Sequence, residues 1–178
     1  MYARALNPKV KIFAIEPEPN NLEALKKHLK TNKISGVEVV PGALARESGA
    51  RQLTLAEDSH NHALSELEFY DNPTEKNDPS LLKIKALSFA DFCKKNKIKK
   101  ISLLKFDIEG GEYEVFEGMS EKDLAIVNYI ILEYHNGREK SRDIEEKLRT
   151  NGFAVQVFPS KFDKTMGFIF AHNKRSFK

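Results

Sequence analysis

The chain has 178 residues, 40% apolar and 31% charged, with 29 Lys and Arg against 26 Asp and Glu for a net charge of +3. That length fits one domain spanning residues 1–178, able to bury roughly two-thirds of its unfolded surface, and the composition excludes intrinsic disorder. The charge balance argues against a nucleic-acid or anionic-membrane surface, which leaves small molecules as the expected partners.

Cys93 is the only cysteine, so neither an internal disulfide nor a cysteine-based zinc cage can form within one chain. A reducing, cytoplasmic setting is the expectation. Met1 to Lys9 lacks the apolar run of a signal peptide, and no stretch of ~18 apolar residues marks a membrane span.

Val10 to Ile15 is a short run rich in β-branched residues, which predicts a strand buried on both faces of a parallel sheet and stopped at Glu16-Pro17. Asn20 or Asn21 can cap a following helix whose Leu22, Leu25 and Leu29 share one face. Val37 to Val40 predicts the next strand, Pro41-Gly42 breaks it, and Gln52 to Leu55 reads as a further extended piece. Residues 56–80 show neither helical nor strand period, so they predict a long surface loop serving as a substrate lid or as a connector. His60 and His62 lie in it, as solvated residues or as visitors to a site.

Ile84 to Ala86 predicts a short strand, and Ser88 a helix cap with Phe89 and Phe92 turned inward. The lysines from Lys94 to Lys100 suit a solvated helix end favoured by the macrodipole. Ile101 to Phe106 predicts a buried strand that gives way, through Asp107-Ile-Glu-Gly-Gly111, to a helix beginning near Glu112. Tyr129 to Leu132 predicts another buried strand, ending at Glu133-Tyr-His135. Ile144 and Leu148 mark an amphipathic helix closed by Asn151-Gly152. Phe153 to Phe158 and Gly167 to Ala171 then predict an antiparallel final pair.

Three predicted strands end in carboxylates, Glu16, Asp107 and Glu133, and in open α/β sheets ligands bind beyond the carboxyl ends of the strands. The pattern points to one common site. Glu16 can accept both ribose hydroxyl hydrogens of a nucleoside or serve as an ordinary turn residue. Asp107 and Glu109 straddle Ile108, so in extended backbone both point to one side, where they can meet a ligand or cap the next helix. Glu133 and His135 have the same spacing, which predicts a shared strand face. His135 suits a general base, since imidazole accepts a proton near neutral pH. Asp107, Glu133 and His135 could also make an oxygen-and-nitrogen cation site, although hydrogen-bonded strand-end residues are the preferred reading and no metal is assigned.

These residues resemble the FkbM-type methyltransferases from about Val10 to His172. The marks are Phe13-Ala-Ile-Glu-Pro-Glu-Pro19, Pro41-Gly-Ala-Leu44, Lys105-Phe-Asp-Ile-Glu-Gly-Gly-Glu112 with Glu117-Gly118, and Ile131-Leu-Glu-Tyr-His135. The third is the most specific. The resemblance implies a Rossmann-like α/β fold of the class I methyltransferases, a seven-stranded, mostly parallel sheet with an antiparallel C-terminal hairpin. It further implies S-adenosyl-L-methionine as donor and a sugar or natural-product hydroxyl as acceptor. By the same resemblance Glu16 and Pro17 hold the ribose end, Gly42 and Ala43 lie beside the adenine, and Asp107 lies near the methionine end. Glu109, Glu133 and His135 then surround the acceptor.

The family carries a further strand and a Gly-x-Gly loop upstream of the first strand found here, with that strand central in the sheet. This chain shows neither, so the strands ending at Glu16 and Asp107 are expected either to pair directly or to leave a gap. Weak cofactor binding is the corresponding expectation. The competing function is a non-catalytic methyltransferase-like remnant. A dinucleotide-dependent oxidoreductase fits the fold but not the Asp107–Glu112 motif.

Overall fold

A computed structural model of the chain describes residues 7–54, 63–65, 81–108, 111–135, 138–163 and 165–175. Its elements run β1 (Ile12–Glu16), α1 (Pro19–Thr31), β2 (Val37–Pro41), β3 (Ala43–Ala45), β4 (Gly49–Thr54), β5 (Ala63–Ser65), β6 (Leu81–Ser88) and α2 (Phe89–Lys95). They continue with β7 (Ile101–Phe106), α3 (Glu112–Gly118), α4 (Glu121–Ala125), β8 (Val127–Tyr134), α5 (Arg138–Thr150), β9 (Phe153–Pro159) and β10 (Gly167–Asn173). The fold is α/β and Rossmann-like, with strand alternating with helix as the hydrophobic periods require.

The strands form three hydrogen-bonded groups, β1–β2, β7–β8–β10–β9 and β3–β6–β4–β5. β1–β2, β3–β6 and β7–β8 are parallel. The final hairpin is antiparallel as expected: β10 inserts between β8 and β9 and runs against both. β4 adds antiparallel pairing with β5 and β6, so among the described residues the pairing is more mixed than the mostly parallel pattern expected. Within that same set β1 and β7 are not bonded to each other, and each is the outermost strand of its group. Of the two alternatives, direct pairing of these strands is not seen among the described residues.

The main core lies on one face of the β7–β10 sheet. Ile130, Leu132 and Tyr134 of β8 and Ile169 and Ala171 of β10 are fully buried there, beneath Val115, Phe116, Met119, Leu124, Ile144 and Leu148 of α3 to α5. The rings of Phe106 and Phe116 meet edge-on at 5.3 Å, a favoured aromatic geometry. On the opposite face Tyr129 and Phe168 stand exposed, with Tyr129 stacked on His172 at 4.6 Å. Burial pushes the Cys93 thiol up to about 11, which keeps it an inert core side chain.

Several local expectations change. Glu18, not Asn20 or Asn21, caps α1: its carboxylate accepts the backbone N–H groups of Asn20 and Asn21 at 2.9 and 2.6 Å. The helix starts earlier because Pro19, with its preset φ and missing donor, suits the first turn. β1 is half-buried along its length rather than sealed on both faces, since among the described residues its sheet has two strands. The segment 56–80 contains β5, bonded to β4 in register Leu53↔Leu64. The other residues of that segment, His60 and His62 among them, lie outside those described. The strand expected at Ile84 to Ala86 extends from Leu81 to Ser88. Ser88 caps α2 as expected, with its hydroxyl on the Asp91 N–H at 3.1 Å. None of the helices is long and apolar enough to cross a membrane, among the described residues.

Candidate active site

At the carboxyl ends of β1 and β2 the ladder closes with Glu16 opposite Pro41, and the Gly42 N–H donates to the Glu16 carbonyl at 3.1 Å. Glu16, Pro17, Gly42 and Ala43 are therefore neighbours, all of them half-buried. The Glu16 Oε1 accepts the Glu18 N–H at 2.9 Å, which orients the carboxylate across the turn. Gly42 has φ +128°, and a Cβ there would stand 2.5 Å from the Lys85 carbonyl oxygen. Glycine is thus required by the approach of β6, whatever else binds nearby.

At the ends of β7 and β8 the last pair in register is Phe106↔Leu132. Asp107 and Glu133 follow it directly, on strands about 4.8 Å apart. Asp107 is exposed and paired with the Lys105 ammonium at 2.7 Å. Glu133 sits opposite Phe168, on the half-exposed face of the sheet. Glu109 lies outside the described residues. No side chain caps α3, whose cap position is Gly111; the capping role open to Asp107 is not the one it plays.

His135 departs from the shared face expected with Glu133. β8 ends at Tyr134, so the two-residue alternation stops, and the His135 ring reaches Glu112 at the start of α3 instead. His135 Nδ1 lies 3.2 Å from Glu112 Oε1, and His135 is only 8% exposed. The same Oε1 accepts the Ile108 N–H at 3.1 Å, while the Tyr113 hydroxyl donates to the His135 carbonyl. Burial, then the Glu112 carboxylate, push the Tyr113 phenol up to about 12. One helix start thus ties the turn after Asp107 to the end of β8.

Glu112 is the residue missed from the sequence, and a signal for it exists. Glu112, Val115, Phe116 and Met119 are spaced i, i+3, i+4, i+7, so the carboxylate belongs to the apolar stripe of α3. All four are at most 1% exposed. A charge on such a stripe has to be satisfied by partners, and those partners are Ile108 and His135.

The strand-end residues therefore gather in two groups, one on the β1–β2 sheet and one on the β7–β10 sheet. Among the described residues no three His, Cys, Asp or Glu side chains cluster as metal ligands. Phe13 of β1 meets Phe92 of α2 edge-on at 5.5 Å, which packs the first sheet against the main core.

Residues 1–155 match the family model described as the methyltransferase FkbM domain. "Methyltransferase 1" of Beauveria bassiana is 23% identical over 169 residues, covering 88% of this chain and 68% of that protein. The 31-O-demethyl-FK506 methyltransferase FkbM of Streptomyces tacrolimicus is 24% identical, covering 87% and 68%. The hexuronic acid methyltransferase AglP of Haloferax volcanii is 25% identical, covering 94% and 64%. Among solved structures the METTL16 MTase domain superposes with a TM-score of 0.53 at 13% identity, covering 98% of this chain and 54% of that one. That likeness bears on the fold alone.

Proposed function

This chain belongs to the FkbM methyltransferase family, and from that premise we propose that it transfers a methyl group from S-adenosyl-L-methionine to a hydroxyl of a sugar or other small natural product, in a cytoplasmic setting. The observation that carries the reading is the placement of Glu16 beside Gly42 at the carboxyl ends of two parallel strands, with Asp107 and Glu133 side by side at the ends of two others. The relatives named for 31-O-demethyl-FK506 and for hexuronic acid support the acceptor class.

The residues suit an adenosyl group. A carboxylate has acceptors only and a ribose edge offers two O–H donors, so Glu16, held by the Glu18 N–H, matches it. When bound, S-adenosylmethionine supplies an electrophilic methyl on a sulfonium. Pro17 would shape the turn at the ribose, Gly42 and Ala43 would hold the adenine, and Asp107 would serve the methionine end, the roles that the family resemblance gives them. Glu109 and Glu133 would orient the acceptor hydroxyl. His135 would take its proton as the C–O bond forms and the sulfur–methyl bond breaks, with S-adenosylhomocysteine as the leaving group, and fixed proximity would supply much of the rate.

Calorimetric titration with S-adenosylhomocysteine tests this. Exchange of Glu16 for Ala is expected to weaken binding by about 1.5–3 kcal/mol, roughly ten- to a hundredfold, because charge-assisted hydrogen bonds are lost. Unchanged affinity would remove Glu16 from the site. Absence of binding by the unaltered chain would favour the competing reading, a methyltransferase-like protein without catalysis.

A further inference from the structure

Strands β8, β10 and β9 lie side by side, and their registers set Glu133 opposite Phe168 and Phe168 opposite Phe158. On the open face of this sheet, at the carboxyl ends of β8 and β9, one row therefore reads carboxylate, phenyl, phenyl. Neighbouring strands are ~4.8 Å apart, so the outer members of the row stand ~10 Å from each other. One pyranose ring with its rim of hydroxyls fills that span.

Phe158 and Phe168 are 54% and 47% exposed. Single apolar side chains on a surface are ordinary, but these two phenyls are cross-strand neighbours, and neither ring has a ring partner among the described residues. The other end of the same face differs. There Tyr129 stacks on Phe170 and His172, with centroids 6.0 and 4.6 Å away, so aromatic surface is covered ring on ring. Uncovered aromatic surface is thus gathered at the carboxyl end, where the candidate site lies. Glu133 has no hydrogen-bond or ion-pair partner among the described residues, whereas Asp107 beside it is held by Lys105.

Two adjacent chemistries select a ligand that carries both complements. A carboxylate offers acceptors, so its counterpart brings O–H or N–H donors. The face of a phenyl ring is apolar and negative, so its counterpart is an array of slightly positive C–H groups. A pyranose has both, C–H groups on its ring faces and hydroxyl donors around its rim. A flat aromatic molecule matches the phenyls and leaves Glu133 without a donor; an open-chain polyol matches Glu133 and leaves the phenyls in water.

We propose that Phe158 and Phe168 are the stacking platform for a pyranose acceptor, one of whose rim hydroxyls donates to Glu133. What becomes of the sugar rests on the methyl-transfer reading, while its binding is a property of the sheet face alone. The acceptor narrows from small natural products in general to those that carry a sugar ring, and the two phenylalanines become specificity-determining residues. Phe168, between Phe158 and Glu133, contacts the centre of the ring.

Saturation-transfer NMR on the full chain, without cofactor, tests the platform with methyl glucopyranoside, methyl galactopyranoside and methyl mannopyranoside as probes. At least one is expected to bind, with saturation strongest at the C–H groups of one ring face. Phe168→Ala should weaken that binding by about tenfold, the size of an aromatic contact with its buried area. Phe158→Ala and Glu133→Leu should weaken it several-fold, and Phe168→Trp should retain it. Leu103→Ala, at the far end of the same face, should leave it unchanged. Cyclohexanol, which has the apolar ring without the hydroxyl rim, should bind far more weakly than the pyranoside. Binding of none of the three pyranosides would overturn the proposal, as would unchanged affinity in both Phe158→Ala and Phe168→Ala, or equal affinity for cyclohexanol. If Phe168→Ala fails to fold, Phe158→Ala and Glu133→Leu decide. Failure of the methyl-transfer reading shows elsewhere: a chain that binds a pyranoside but not S-adenosylhomocysteine keeps the platform and loses the transferase.

Discussion

Two layers of this molecule use the same grammar with different results. In the β1–α1–β2 layer Leu22, Leu25 and Leu29 face the sheet, yet α1 has no fully buried residue, and the one side chain from Ile12 to Pro41 below 9% exposure is the polar Glu18. In the layer of β7 to β10 with α3 to α5, by contrast, Phe116, Leu124, Ile130, Leu132, Leu148 and Ile169 are at most 1% exposed. Amphipathic spacing decides which side of an element looks inward. How deeply that side is buried depends on the number of strands and helices around it, and a two-stranded sheet supplies few. In the proposed reading Glu16, Pro17, Gly42 and Ala43 rest on the thin layer, and Asp107, Glu133 and His135 on the thick one.

The largest expected consequence is unequal tolerance of truncation. Phe116→Ala should destabilise the chain by about 3–5 kcal/mol, the range for emptying a sealed aromatic site. Leu25→Ala should cost no more than about 1 kcal/mol, since a half-exposed leucine gives back only part of its transfer free energy. Urea denaturation of both variants checks the contrast. Losses of similar size would mean that α1 is covered far better than its exposure indicates.

A smaller effect follows at the cap. Glu18→Ala removes the acceptor for two backbone N–H groups and for the Asn20 side-chain amide at 3.0 Å, at a cost of about 1–2 kcal/mol. The damage should be confined to the thin layer, with hydrogen exchange accelerated in α1 and unchanged in β8 and β10. Glu18→Asp should recover part of the protection. Uniform acceleration across the molecule would show that the two layers open together.

Strands, helix faces and the final hairpin were legible because each rests on local periodicity. Ser88 and the Phe89–Phe92 face, the Ile144–Leu148 face and the β9–β10 pair all follow from residues within one or two turns of each other. Three kinds of feature were not legible. The depth of β1 depends on neighbours far away in sequence. Strand β5 depends on pairing with β4 across a segment without period. The turning of His135 away from Glu133 depends on where β8 stops, at Tyr134, which pairs with Gly167, the first residue of β10 and so distant in sequence. The candidate site divides the same way. Its carboxylates could be read at strand ends, whereas Glu112 is the last residue of the glycine-rich motif and owes its burial to the helix stripe that begins there.

The smallest effect concerns Tyr113, which lies where the thick layer meets the candidate site. Its hydroxyl donates to the His135 carbonyl, so Tyr113→Phe should cost about 0.5–1.5 kcal/mol at neutral pH. That cost should shrink in alkali. The phenol titrates near its ordinary 10 in the unfolded chain and is pushed up to about 12 in the folded one, by burial and then by Glu112. Between those values the unfolded state has released the proton and the folded state has not, so the unfolded state binds fewer protons and stability falls as pH rises. The contribution of Tyr113 is therefore complete below pH 10 and is lost on the way to 12. Because the ring is partly exposed, solvent screening mutes the size, and the direction is the test. Denaturation of both proteins across this window should show the gap between them narrowing with alkali. A gap that stays constant or widens would mean that burial and the neighbouring carboxylates do not hold the phenol above its ordinary range in the folded chain.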